Sequence, residues 1–138
     1  MPGMPRAIGW CFVSLVCAAS PGAAESYPVA VLQALDKVTA RVTTLQAPVG
    51  QTVRFGTLAI KAAVCEKHPP EETPESAAFL DIVEQRAEHA PVDVFRGWMF
   101  ASSPGLSSMQ HPVYDLWMVD CVSSSPSAEP RTSPGGSP

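Results

Sequence analysis

"TLAIKAAVC", residues Thr57 to Cys65, decides the fold. Leu58, Ile60, Ala62 and Val64 recur at every second position with Lys61 between them, which is the period of a strand with one apolar face. The pattern continues on both sides. "RVTTLQA" (41–47), rich in β-branched residues, sets Val42, Thr44 and Gln46 against Thr43, Leu45 and Ala47. "AAFLDIVEQR" (77–86) sets Ala78, Leu80 and Ile82 against Phe79, Asp81 and Val83, and its β-branched and aromatic content favours a strand over a short helix. "VFRGWMF" (94–100) and "VYDLWMVDC" (113–121) are strand-like, and each carries a tryptophan.

Pro- and Gly-bearing turns separate these runs. "APVGQTVRFG" (47–56) holds a turn and a short extended piece at Val53–Phe55. "PVAVLQALDKVT" (28–39) reads as a strand running into a turn, with a helical turn as the alternative. "EKHPPEETPES" (66–76) is acidic and proline-rich, an exposed and stiff excursion. "SSPGLSSMQHP" (102–112) reads as a turn or one-turn helix followed by a hairpin return. Short strands at this spacing predict an all-β fold, a small sandwich or open barrel.

The ends of the chain stand apart. Residues 1–24 read as a signal peptide: Arg6, then the uncharged "AIGWCFVSLVCAA" (7–19), then "PGAA" with small residues at Gly22 and Ala24. The apolar run is shorter than the ~20 residues a bilayer span needs, so no stable membrane insertion is expected after cleavage. A lipoprotein reading through Cys11 or Cys17 lacks the leucine and small residues that such a signal wants. Residues 122–138, "VSSSPSAEPRTSPGGSP", have too few apolar side chains to order themselves and read as a Ser/Pro/Gly-rich tail. Residues 25–121 remain as one small domain.

The formal net charge is −4, and the nine Lys and Arg form no cluster. That excludes nucleic acid and anionic lipid surfaces as main partners. Removing the leader leaves Cys65 and Cys121. In an exported domain two cysteines read as a disulfide, while free or metal-bound thiols lack a CxxC spacing to support them. The bridge closes a loop of about 57 residues, for which chain entropy gives about 4 kcal/mol.

"ALDKVTARVTTLQAPVGQTVRFGTLAIKAAVC" (34–65), "HPPEETPESAAFLDIVE" (68–84) and "FRGWMFASSPGLSSMQHPVYDLWMVDC" (95–121) together resemble the DUF2155 family, small exported alphaproteobacterial proteins without an assigned function. The resemblance covers Ala30 to Cys121. "GWMFASSP" and "HPVYD", followed by Trp117 and the Asp120–Cys121 pair, are its most specific parts. It implies a Gram-negative periplasm, and it carries a cysteine at both positions 65 and 121. His68 departs from the pattern, where Arg or Lys before Pro-Pro is more usual. The family brings no activity with it.

The chemistry must therefore be read from the residues. His111, Asp115, Ser102 and Ser103 hold the atoms of a hydrolytic triad, but no G-x-S-x-G elbow is present and Pro112 breaks any helix joining the first two. Met109 and His111 offer thioether and imidazole to cuprous copper, with too few partners to define a site, since Met99 and Met118 lie in apolar strand stretches. Trp98 and Trp117 are read singly as core; an exposed one beside the Ser/His/Tyr-rich loop would mark a binding patch. The resulting expectation is a non-catalytic, cofactor-free binding or adaptor module of the cell envelope with a protein partner. Its tentative binding residues are Trp98, Ser102, Ser103, Met109, His111, Tyr114 and Asp115. The alternative is a periplasmic protein that binds a small molecule or copper.

Overall fold

A computed structural model describes residues 2–4 and 24–124. The leader and tail readings fall almost wholly outside them. Among the described residues there are nine strands: β1 (Glu25–Ser26), β2 (Val29–Asp36), β3 (Arg41–Pro48), β4 (Thr52–Phe55), β5 (Leu58–Lys67), β6 (Ser76–Glu84), β7 (Val92–Phe100), β8 (Met109–Gln110) and β9 (Tyr114–Val122). They form two antiparallel sheets. One runs β1-β5-β6-β7 with β4 also on β5; the other runs β3-β2-β9-β8. The expected sandwich is what the chain adopts, and Val122, assigned from sequence to the tail, closes β9 opposite Val29.

Local chemistry sets the turns. Asp36 Oδ1 accepts from the amides of Val38 and Thr39 at 2.8 and 3.2 Å, which folds the β2–β3 hairpin. β4 and β5 are joined by the two-residue loop Gly56-Thr57, with Gly56 at φ +55°. That left-handed backbone favours glycine. It has a second reason to be glycine, because a Cβ there would overlap the Tyr114 hydroxyl.

The core lies between the sheets. Leu32 from β2, Leu58 and Ile60 from β5, Leu80 and Ile82 from β6, Met99 from β7, Met109 from β8, and Leu116 and Met118 from β9 are all fully buried. Burial follows alternate residues until a β-bulge interrupts it. In β5 the register passes from Ala62↔Leu80 to Val64↔Phe79, so Ala63 is the extra residue. The inward face then passes to Cys65, and Val64, expected inside from strict alternation, is only half-buried. In β9 the register passes from Leu32↔Met118 to Val31↔Asp120, so Val119 is extra and Cys121 turns inward. Each cysteine sits three residues past an inward neighbour, Ala62 or Met118, an odd step that a regular strand would send to the other face. One bulge per strand restores the parity. The disulfide Cys65–Cys121 then bridges the two sheets with Cα atoms 5.8 Å apart.

Two sequence expectations are corrected. The hairpin return read from residues 102–112 is made by β8 on β9, while β7 lies in the other sheet, joined by a crossover through residues 101–108. Neither tryptophan is core. Leu116, Met118 and Met99 take the inward positions, and alternation leaves Trp117 and Trp98 on the outer faces.

Candidate functional site

The seven tentative binding residues separate into three places. Met109 is in the core at 1% exposure, so its sulfur offers nothing to a surface ligand. β8 pairs it with Leu116, which fixes its side chain inward.

His111, Tyr114 and Asp115 form the return from β8 into β9. The imidazole is buried at 7% exposure. Its Nδ1 accepts from the amides of Val113 and Tyr114 at 3.1 and 3.2 Å. A nitrogen that accepts cannot carry the proton, so the hydrogen sits on Nε2, which faces Glu84 Oε1 at 3.2 Å. That contact is close but off-axis, and Nε2 lacks a well-aligned acceptor. Tyr114 stacks on the imidazole, with ring centroids 5.3 Å apart, and meets Phe55 edge-on at 5.4 Å. Lys37 pins the turn from outside: its ammonium donates to the His111 carbonyl at 2.9 Å and pairs with Asp115 at 2.9 Å. The cluster's hydrogen bonds close a turn. None joins His111 to Ser102 or Ser103, the geometry a hydrolytic triad requires.

Beside it runs an open groove of about 810 Å³, lined by Lys37, Pro104, Gln110, His111, Asp115 and Trp117 among others. Its cation and carboxylate are paired with each other, so neither is left to recognise a charged ligand. No group of three or more His, Cys, Asp or Glu able to hold a metal occurs among the described residues.

Trp98, Ser102 and Ser103 belong to a different surface, the outer face of the five-stranded sheet. Register places Glu66, Ala77 and Phe100 in one cross-strand row and Val64, Phe79 and Trp98 in the next. Trp98 packs edge-on against Phe79 at 5.7 Å, yet it and Phe100 each remain 40% exposed. Ala77 is too small to fill its place, so a cleft of about 230 Å³ opens between Glu66, Glu75, His68 and the two aromatic rings.

Ser102 and Ser103 shape the rim of that cleft. The Ser102 hydroxyl donates to Glu75 Oε2 and its amide to Oε1 at 3.1 Å, while the Ser76 amide also reaches Oε1 at 3.1 Å. Burial alone would raise the Glu75 carboxyl, but the Ser102 and Ser76 hydrogen bonds and the nearby His68 outweigh it and hold the group below its ordinary value. Ser103 shapes the loop through its backbone, donating to the Phe100 carbonyl at 3.3 Å and accepting from the Ser107 hydroxyl at 3.2 Å. Sequence reasoning missed Phe100, Glu66 and Glu75. The strand period that put Trp98 and Phe100 on one face was the available signal, and the cross-strand row bringing Glu66 to them was not.

Comparison with known proteins names a family without naming an activity. An uncharacterized protein of Rickettsia prowazekii (strain Madrid E), RP359, is 30% identical over 97 residues, covering 70% of this chain. The chain spans 63% of that relative's length. No solved structure matches. Residues 30–121, from the start of β2 to the second half of the disulfide, match the family described as "Uncharacterized protein conserved in bacteria (DUF2155)", and the chain belongs to that family.

Proposed function

We propose that the protein is an exported, non-catalytic recognition module of the bacterial cell envelope that engages a protein partner through the outer face of its five-stranded sheet. The carrying observation is the pair Trp98 and Phe100, each 40% exposed side by side on an edge strand. The core is complete without them, being filled by Leu, Ile, Ala and Met. Partly exposed aromatic side chains on a rigid strand supply large contact area with few rotamers to freeze, which is why such residues dominate binding hot spots. The cross-sheet disulfide supports an oxidising compartment.

The test is site-specific photo-crosslinking in a Gram-negative host making the full chain. Benzoyl-phenylalanine at position 100 should give a discrete protein adduct, while the same probe at exposed Val42 on the other sheet gives none. Equal adducts from both positions, or none from position 100, would refute the reading.

A further inference from the structure

We propose that the cleft at Trp98 and Phe100 takes the guanidinium or ammonium of an Arg or Lys carried on an extended segment of the partner, which adds as a strand to the open edge of β7. The inference rests on the recognition role above and names the chemistry of the occupant.

Three observations converge on it. The first is charge. The cleft has aromatic walls and two carboxylates, and aromatic faces beside carboxylates attract organic cations. Glu66 has no hydrogen bond or ion pair to its carboxylate among the described residues, and Glu75 is bound only by neutral donors. Of the basic groups nearby, His68 stands in the cleft wall beside Glu75, and the others belong to other rows of the sheet. Lys67 pairs with Asp120 at 2.9 Å, and Arg96 stands opposite Asp81 in a different row of the sheet. His68 holds the Thr73 carbonyl at 3.1 Å through Nδ1.

The second is the edge. Among the described residues β7 ends the five-stranded sheet and pairs only with β6. The Ala101 amide donates to Ser76 on the β6 side at 2.8 Å, whereas the Phe100 amide turns away to the Ser107 hydroxyl at 3.0 Å. Antiparallel alternation therefore aims the amides and carbonyls of Trp98 and Arg96 at the open side. A row of unpaired backbone groups is a template for an added strand.

The third is reach. Strands lie about 4.8 Å apart, so an added strand stands roughly 14 Å from β5. A long cationic side chain lying across Phe100 and the small Ala77 closes that span to the Glu66 carboxylate, which reaches back from the other side. A shorter side chain does not.

The test uses the full, oxidised chain and the peptide acetyl-Ser-Val-Arg-Val-Thr-Val-Arg-Ser-amide, compared with the same peptide bearing Glu for both Arg. Calorimetry should show the Arg peptide binding about tenfold or more tightly than its Glu counterpart. Glu66→Gln should weaken it about fivefold at unchanged melting temperature, and Trp98→Ala should weaken it further. The amides of Arg96 and Trp98 should gain hydrogen-exchange protection in the complex. Equal affinity for both peptides overturns the proposal, as does binding of arginine amide alone as tightly as the peptide, which would make this a small-cation site. Concentration-dependent dimers that compete with the peptide assign the edge to a second copy, and stronger binding after removal of residues 125–138 assigns it to the chain's own tail; either result also overturns the proposal. If the crosslink at position 100 forms but the Arg peptide does not bind, the cationic occupant is wrong and the recognition role stands. If neither occurs, both fall.

Discussion

Reducing the Cys65–Cys121 bond tests how the sandwich is held together. The bond crosses from β5 to β9, which lie in opposite sheets, and the cysteines are 56 residues apart in sequence. Opening a loop of that length returns roughly 14 cal/mol/K to the unfolded chain, about 4 kcal/mol at 25 °C, on the loop-entropy model. A domain of this size is stable by only about 5–15 kcal/mol, so the bond is a large share of the whole. With a urea slope of about 1 kcal/mol/M, the unfolding midpoint should fall by about 4 M on reduction, and the melting temperature by roughly 16–32 °C. Reduction of the wild-type protein is the cleaner perturbation, because both thiols stay in the core. A Cys65→Ala/Cys121→Ala variant adds a packing loss and should be slightly weaker still. The assay is urea and thermal denaturation followed by circular dichroism, oxidised against reduced. A midpoint that moves by less than about 1 M would refute the reasoning, since the layers would then be held by side-chain packing alone.

Other outcomes follow from the same packing. Leu80→Ala, in the fully buried core, should cost about 2–5 kcal/mol, while Trp98→Ala on the outer face should cost about 1 kcal/mol, mainly its edge contact with Phe79; urea midpoints compare the two. Gly56→Ala should lose about 2 kcal/mol, from the left-handed backbone and from displacing Tyr114 off Phe55 and His111, and a changed near-ultraviolet dichroism of the tyrosine would accompany it. Acid should destabilise the fold through Asp120 and Glu75. Burial by itself raises Asp120, but hydrogen bonds from Lys67, Ser76 and the Cys121 amide outweigh it, so both carboxyls titrate lower folded than unfolded. Their contribution is complete above the ordinary carboxylate range near pH 4 and is lost as pH falls through their folded values. Asp120→Asn should flatten that acid limb in urea midpoints measured against pH, and an unchanged limb would contradict the assignment.

Strand positions were legible because their evidence is local. Leu58, Ile60 and Ala62 carry the period of β5 without help from the rest of the chain, and Ala78, Leu80 and Ile82 do the same for β6. What the period cannot show is where it slips. Ala63 and Val119 are small or apolar residues whose side chains suit either face, so nothing in their chemistry marks a bulge. The clue was arithmetic: once Cys65 and Cys121 are paired inside, their odd distance from Ala62 and Met118 demands an extra residue in each strand. Partnership between strands was hidden for a different reason. "GWMFASSPGLSSMQHPVYDLWMVDC" looks like a hairpin because its halves are adjacent in sequence, yet residues 101–108 carry the chain from one sheet to the other.

Strand parity also decides which face of the sheet Trp98 takes. A tryptophan in a small domain is a reasonable core residue by size, which is the reading Trp98 takes singly, although it also stands among the tentative binding residues. Met99 fills the inward position, paired with the fully buried Ala78 across β6–β7. Trp98 is therefore forced outward by its neighbour's parity. Once outward, it shares a row only with what β6 and β5 present there, Phe79 and Val64, and the next row brings Phe100, Ala77 and Glu66. Histidine drew attention in the sequence because its chemistry is versatile, but two backbone amides occupy His111 Nδ1 and bind it to a turn. The residues with chemistry still to offer are plainer ones: a carboxylate without a partner among the described residues, two half-exposed rings, and an alanine small enough to leave a gap between them.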